Sequence, residues 1–402
     1  MRIRFLAGAQ EVLVFFCFSL RGDLGPMVGR DCKKKIKNPL TATSVMLIFL
    51  RMKLLRSSLA TLIAAGLSAN AQPTTATTDP VGFVSYTVNA NSDQKLGVPM
   101  QQASVFQGAA TTVSGTSVSA SGVPSLTGAN FVVVTSGTAN GKWEQIASST
   151  SGSVTLSASI SGFANGDSFE IKPFWTLGTL FPNGGAVPAS PDVFDAKAVV
   201  LLNNPSATGV NIPPASFYLY HGGSVDYPAG WYDANDPDAG LQNNLTLSPE
   251  VSLGVRNSTG SPVSISFVGS VPTNKFALDI VRSAFSNQDN LVYNKFPADV
   301  TLGDSDLALS GAVSPSADVF DPGDLVLFYA LNNSGANPAP SAFYFYHTGS
   351  DDYVAGWYDA NDPDTGLKNS VLIPAGAPIV IRKKQGPAST VSWNPSTPYT
   401  LQ

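Results

Sequence analysis

The stretch Tyr220–Leu241, YHGGSVDYPAGWYDANDPDAGL, returns almost unchanged at Tyr346–Leu367 as YHTGSDDYVAGWYDANDPDTGL. Between Phe217 and Leu241, 20 of 25 positions are identical to those 126 residues later. The same offset joins Gly185-Ala186-Val187 to Gly311-Ala312-Val313, and Asp192-Val193-Phe194-Asp195 to Asp318-Val319-Phe320-Asp321. A period of 126 residues is too long for a solenoid unit. It calls for two homologous domains, expected at 176–285 and 286–402, with 80–175 as a divergent N-terminal β domain. Each unit of about 100 residues has the usual size of a small β-sandwich or barrel.

The residue pattern agrees with strands. Val84, Tyr86 and Val88 alternate with Ser85 and Thr87. Val154, Leu156, Ala158 and Ile160 alternate with Thr and Ser, and so do Val263, Ile265 and Phe267. Period two marks a strand with one face on a core and the other in water. No long run of period 3.6 follows residue 72, and 36 Gly and 29 Pro disfavour long helices. The expected fold class is therefore all-β, as tandem sandwich-like or barrel-like domains. Three hairpins are expected: 131–135 with 142–146 around Asn140-Gly141, 251–255 with 263–267, and 379–382 with 391–393.

Met52-Lys-Leu-Leu-Arg56, the apolar run Leu59–Leu67 and Ala69-Asn70-Ala71 read as the three regions of a secretory signal peptide, 52–71. The apolar run is too short to span a membrane. Residues 1–51 then read as an upstream extension outside the natural product, and 72–79 as a polar leader. Both cysteines, Cys17 and Cys32, precede Met52, so the mature chain has no disulfide framework and no thiolate chemistry. From Gln72 onward the chain carries 12 basic and 25 acidic residues, a formal net charge of −13. That balance argues against nucleic acid and anionic lipid as partners. The expected location is outside the cytoplasm: periplasm, cell surface or extracellular space.

Three segments carry a resemblance: TDPVGFVSYTV after the leader, VVVTSGTANGKWEQI, and GFANGDSFEIKPFWTLGTLFP. Together they resemble a family of uncharacterised, signal-peptide-bearing secreted β proteins found as many paralogues in verrucomicrobial bacteria. The resemblance covers most of the chain from Asp79 and implies an exported bacterial protein. It supplies no catalytic residues.

The doubled loop admits four readings. In one it is packing: Asp236-Pro237-Asp238-Ala239-Gly240 makes a turn, and Trp231 and Tyr232 pack on the sheet. In a second it binds calcium through Asp233, Asn235, Asp236 and Asp238, repeated as Asp359, Asn361, Asp362 and Asp364, four oxygen-bearing side chains within six residues. The spacing departs from the EF-hand pattern and no bidentate Glu follows. A third reading is a glycan platform, with Tyr220, His221, Trp231 and Tyr232, and Tyr346, His347, Trp357 and Tyr358, as the ligand-binding set. Catalysis is the fourth and has least support: His221 and His347 are the only histidines, they are repeat equivalents, and no nucleophile-elbow motif accompanies them. The expected function is that of an exported, non-enzymatic structural or interaction protein meeting a protein or glycan at the cell envelope. The alternative is a calcium-assisted carbohydrate-binding module.

Overall fold

A computed structural model describes residues 79–399, apart from Pro205 and Val251. The expected upstream extension 1–51, the signal peptide 52–71 and the leader up to residue 78 lie outside the described residues. Within them the chain is strand after strand. Leu177–Leu180 is the one α-helix among the described residues, closed at its start by a capping box between Thr176 and Thr179. Among the described residues no helix is long and apolar enough to cross a membrane.

Alternation in sequence becomes burial as expected. Val81–Val88 pairs antiparallel with Val263–Ser270. Val84, Tyr86, Val88, Ile265 and Phe267 face the core, while Ser85 and Ser266 meet through their hydroxyls at 2.6 Å on the outer face. The hairpin at Asn140-Gly141 forms, with Phe131 opposite Gln145 and Val133 opposite Trp143. The other two do not. Leu253–Asn257 pairs with Ala198–Asn203 and Ser92–Leu96, not with Val263–Ser270. Pro378–Lys383 likewise pairs with Gln288–Tyr293 and Leu325–Phe328, while Ser389–Trp393 pairs with Leu278–Arg282. In each case the chain leaves one sheet and enters another, so that the two sheets close over a shared core. Asn257 holds the first crossing by donating to the carbonyls of Ser261 and Asn89.

Two five-stranded sheets have the same order. The first runs Gly230–Asp233, Pro214–His221, Ala198–Asn203, Leu253–Asn257, Ser92–Leu96; the second runs Gly356–Asp359, Ala342–His347, Leu325–Phe328, Pro378–Lys383, Gln288–Tyr293. Registers correspond too: Tyr220 opposes Trp231 as Tyr346 opposes Trp357, and Arg256 opposes Asp93 as Arg382 opposes Asp289. The offset is 126 residues for the arginines but 196 for the aspartates. The extra 70 residues form a seven-stranded sheet running Phe106–Ala109, Ser168–Pro173, Asn130–Val134, Trp143–Thr150, Ser153–Leu156, Ser117–Ser119, Thr112–Ser114. Its core holds Val118, Val132, Val134, Leu156, Phe169 and Ile171. Strand pairing therefore crosses the boundaries expected at 175 and 285. Residues 81–96 pair with strands beyond 250, and 278–282 pairs with the strand near the end of the chain.

The two sheets meet at their edge strands. An edge strand exposes unpaired N–H and C=O groups, and here a loop from the other sheet covers each edge. Asp93 N–H donates to Gly335 O at 3.0 Å, and Asn337 N–H donates to the Asp93 carboxylate at 2.9 Å. In the mirror set, Asp289 N–H donates to Gly209 O at 2.8 Å and Asn211 N–H to the Asp289 carboxylate at 2.7 Å. Each aspartate also takes a two-pronged bond from its own arginine, Arg256 or Arg382. Asn211 and Asn337 both adopt positive φ, 53° and 50°, which asparagine tolerates well. Contacts this reciprocal are what a two-fold axis produces.

Candidate functional site

The aromatic loop is built from its strand outward. Tyr218 and Tyr220 point to the inner core, and Tyr220 meets Trp231 edge-on across the ladder at 5.6 Å. Tyr346 and Trp357 do the same at 5.5 Å. Trp231 is 1 % exposed and Trp357 2 %. Leu219 and His221 point to the opposite face, which is covered as well. There Tyr232 packs with Val193 and Leu219, and its hydroxyl donates to Pro228 O at 2.7 Å. Tyr358 is equally buried and donates to Val354 O at 2.8 Å.

This burial overturns the expected glycan platform. Trp231, Tyr232, Trp357 and Tyr358 offer no open ring face, and Tyr220 and Tyr346 are half-buried against the tryptophans. His221 and His347 are buried too. Each sets Nδ1 against a backbone carbonyl, Ser190 O at 2.9 Å and Ser316 O at 3.0 Å. Each also leaves Nε2 buried without a hydrogen-bond partner among the described residues. The sheet has a core on both faces because loops 190–196 and 224–228 fold over the side that would otherwise meet water. Sequence periodicity does not carry that information.

The acids of the calcium expectation take up separate engagements along the loop. Asp233 and Asp359 accept the N–H of Asn235 and Asn361 at 2.9 Å, closing Asx turns. Asp236 and Asp362 precede the single 3₁₀ turns Pro237–Ala239 and Pro363–Thr365, which end at Gly240 and Gly366 with φ of 85° and 78°. Asp238 and Asp364 each accept a tyrosine hydroxyl, from Tyr227 at 2.7 Å and Tyr353 at 2.6 Å. The acids are thus engaged one by one and splayed along the turn. Among the described residues no group of three or more His, Cys, Asp or Glu is placed to hold a metal.

The loop instead shapes a surface hollow in the second copy, and the same Phe–Tyr–Asp set recurs in the first. In Asp192-Val193-Phe194-Asp195 the Asp192 carboxylate accepts Phe194 N–H at 3.0 Å; Asp318 does the same for Phe320 at 2.9 Å. That turn sends Val193 and Val319 inward and the phenylalanines outward. Phe194 is 67 % exposed and Phe320 68 %. Each phenylalanine stands edge-on to the hydroxyl-bonded tyrosine, Phe194 to Tyr227 at 6.1 Å and Phe320 to Tyr353 at 6.0 Å, both with planes at 87°. The hydrogen bond to Asp364 pushes the Tyr353 hydroxyl up to about 12, and Asp238 raises Tyr227 in the same way. Val354 and Leu367 extend the hollow of the second copy, and Asp352 lies at its edge. Sequence reading used the Asp-Val-Phe-Asp motif only as a repeat marker. The available signal was a bulky aromatic held inside an Asx turn, where burial is hard.

Comparison with known proteins finds no family model, curated protein or solved structure that matches the chain.

Proposed function

We propose that this chain is an exported, non-enzymatic interaction protein that presents the same aromatic–acidic set twice to one protein or glycan partner at the cell envelope. The observation that carries this reading is the pair of exposed phenylalanines, Phe194 and Phe320, held in the same orientation beside the same Tyr–Asp pair. An exposed aromatic costs solvation and is a common anchor at interfaces. Two such anchors on one chain gain avidity when both engage. The buried, carbonyl-bound histidines support packing rather than acid–base roles. The leader pattern at 52–71, the resemblance to secreted verrucomicrobial β proteins and the acidic chain without cysteine after residue 71 support export.

Binding of the purified chain to envelope fractions of the producing cell, split into protein and polysaccharide, tests this reading. Phe194→Ala or Phe320→Ala is expected to weaken binding about tenfold, and the double substitution to weaken it at least about a hundredfold. Equal binding by wild type and double variant would sink the proposal. Fractionation of the cells, with N-terminal sequencing expected to begin at Gln72, tests export separately.

A further inference from the structure

A cavity of about 220 Å³ lies where the two five-stranded sheets meet. It straddles the local two-fold: Lys95 and its equivalent Leu291 both line it, and so do Asn203 and its equivalent Tyr329. The copies depart from one another at this place. Lys95 stands where the second copy has Leu291, Glu250 where it has Gly376, and Ser252 where it has Pro378. Two positions along the same strands, the copies stay apolar: Leu253 matches Ile379 and Val255 matches Ile381. Three symmetry-breaking substitutions thus bring a cation, an anion and a hydroxyl to one cavity.

Lys95 is attracted to the Asp289 and Asp93 carboxylates and Glu250 to the Lys295 ammonium, so the fold offsets the two charges in part and the Ser252 hydroxyl not at all among the described residues. The Lys95 ammonium lies over the face of Tyr329, 4.8 Å from the ring centre. The Ser252 side chain is fully buried and its hydroxyl has no hydrogen-bond partner among the described residues. Lys95, opposite Gly254 in the ladder, and Ser252, just before that strand, both line the cavity. Glu250 accepts the Trp143 indole N–H at 3.0 Å, lies close to the Asp279 N–H and the Lys295 ammonium, and still lines the cavity. Burial lowers the affinity of Lys95 for its proton and raises that of Glu250, the response of charges without full compensation. Leaving buried polar groups unmet is costly, and the second copy shows that this fold does without them.

We propose that this cavity binds a small zwitterion of the α-amino-acid class, carboxylate toward Lys95 and Ser252, ammonium toward Glu250. Val292 and Val380 supply the apolar wall for its side chain. A water molecule needs roughly 10–15 Å³ of such space, so the cavity has room for an organic solute of this size.

Calorimetric titration of the full chain tests the assignment, with L-valine as the probe and valinamide and isovalerate as arms lacking the carboxylate or the ammonium charge. L-valine is expected to bind and to raise the melting temperature. Each truncated analogue is expected to bind at least about tenfold more weakly, the usual loss when a buried charge goes unpaired. Lys95→Leu, which installs the second copy's residue, is expected to abolish binding and leave the unliganded melting temperature equal or higher. Ser252→Ala provides an independent variant, expected to weaken binding severalfold. The proposal is overturned if L-valine gives neither heat nor thermal shift. Isovalerate binding as tightly as valine overturns the zwitterion, and undiminished binding by both variants overturns the site. None of these outcomes involves Phe194 or Phe320, so they leave the interaction reading to its own test.

Discussion

In the first copy the chain leaves its edge strand Ser92–Leu96, builds a seven-stranded sheet, and only then returns at Trp175 to finish the module. In the second copy it goes from Gln288–Tyr293 to Val300–Thr301 directly. Strand order, ladder register, the buried histidine and the Phe–Tyr–Asp set are the same in both. What differs is polar chemistry near the contact between copies and in the outer core. The first copy carries Lys95, Glu250 and Ser252 at the cavity. The second carries a buried ion cluster, Asp324 with Lys383 and Arg282, where the first has the uncharged Ala198 and Asn257 in place of Asp324 and Lys383. Strand pairing and turns survive such differences because they depend on alternation and backbone hydrogen bonds. Buried charge does not transfer, because each buried ion needs its own partners.

The largest expected effect breaks the comparison at that ion cluster. Asp324→Ala leaves Lys383 buried without its carboxylate and removes acceptors for Ser314 N–H and Lys384 N–H. The expected loss is about 3–5 kcal/mol, read by denaturant unfolding. A loss below about 1 kcal/mol would show that the cluster is solvated. Next are the matched tryptophans. Trp231→Ala and Trp357→Ala are each expected to cost about 3–5 kcal/mol, in line with deletion of a buried indole. Stability within 0.5 kcal/mol or so of wild type in either variant would refute burial of that side chain.

The reciprocal edge contacts give a sharper comparison. Asp93→Ala and Asp289→Ala each remove a two-pronged arginine bond and the anchor of the opposite loop. Each is expected to cost about 1.5–3 kcal/mol, and the two costs should be similar. Strongly unequal losses would mean that the two contacts are not mechanically equivalent.

A pH effect comes from Lys295, where the two copies meet. Lys295, from the second copy, donates to Tyr293 at 2.7 Å and to the Pro249 carbonyl of the first, and lies over Phe276. Burial lowers its pKa to about 7 from 10.5. Between those values the unfolded chain holds a proton that the folded chain lacks, so stability rises with pH through this window and levels off at its lower value below about pH 7. Lys295→Met should flatten that rise and raise the melting temperature at pH 6 by about 2–4 °C. An unchanged slope in the variant would remove Lys295 as its source. The smallest effect concerns the loop acids. Asp233→Ala and Asp359→Ala should each cost about 0.5–1 kcal/mol as lost Asx-turn acceptors, with no thermal shift on adding millimolar calcium. A shift of several degrees that depends on these residues would support the metal reading.

How much was legible can be read from particular residues. Val84-Ser85-Tyr86-Thr87-Val88 announced a strand and its inward face, and Asp236-Pro237-Asp238-Ala239-Gly240 announced a turn with positive φ at Gly240. Both follow from interactions within a few residues. The strands 253–257 and 263–270 looked like a hairpin because they are neighbours in sequence, yet each found its partner far away. The aromatics of the loop looked like platforms because nothing local says whether a second layer covers them.

The amino-acid sequence by itself determined the all-β class, the repeated loop, its turns and the acidic, cysteine-free character of the chain after residue 71, because composition and short-range sterics are properties of local segments. Only the tertiary structure decided that the tryptophans are core, that the loop acids act singly, and that Lys95, Glu250 and Ser252 converge on one cavity. Those outcomes depend on which surfaces meet. Burial and charge compensation are set by residues distant in sequence, and no segment contains them until the sheets pack.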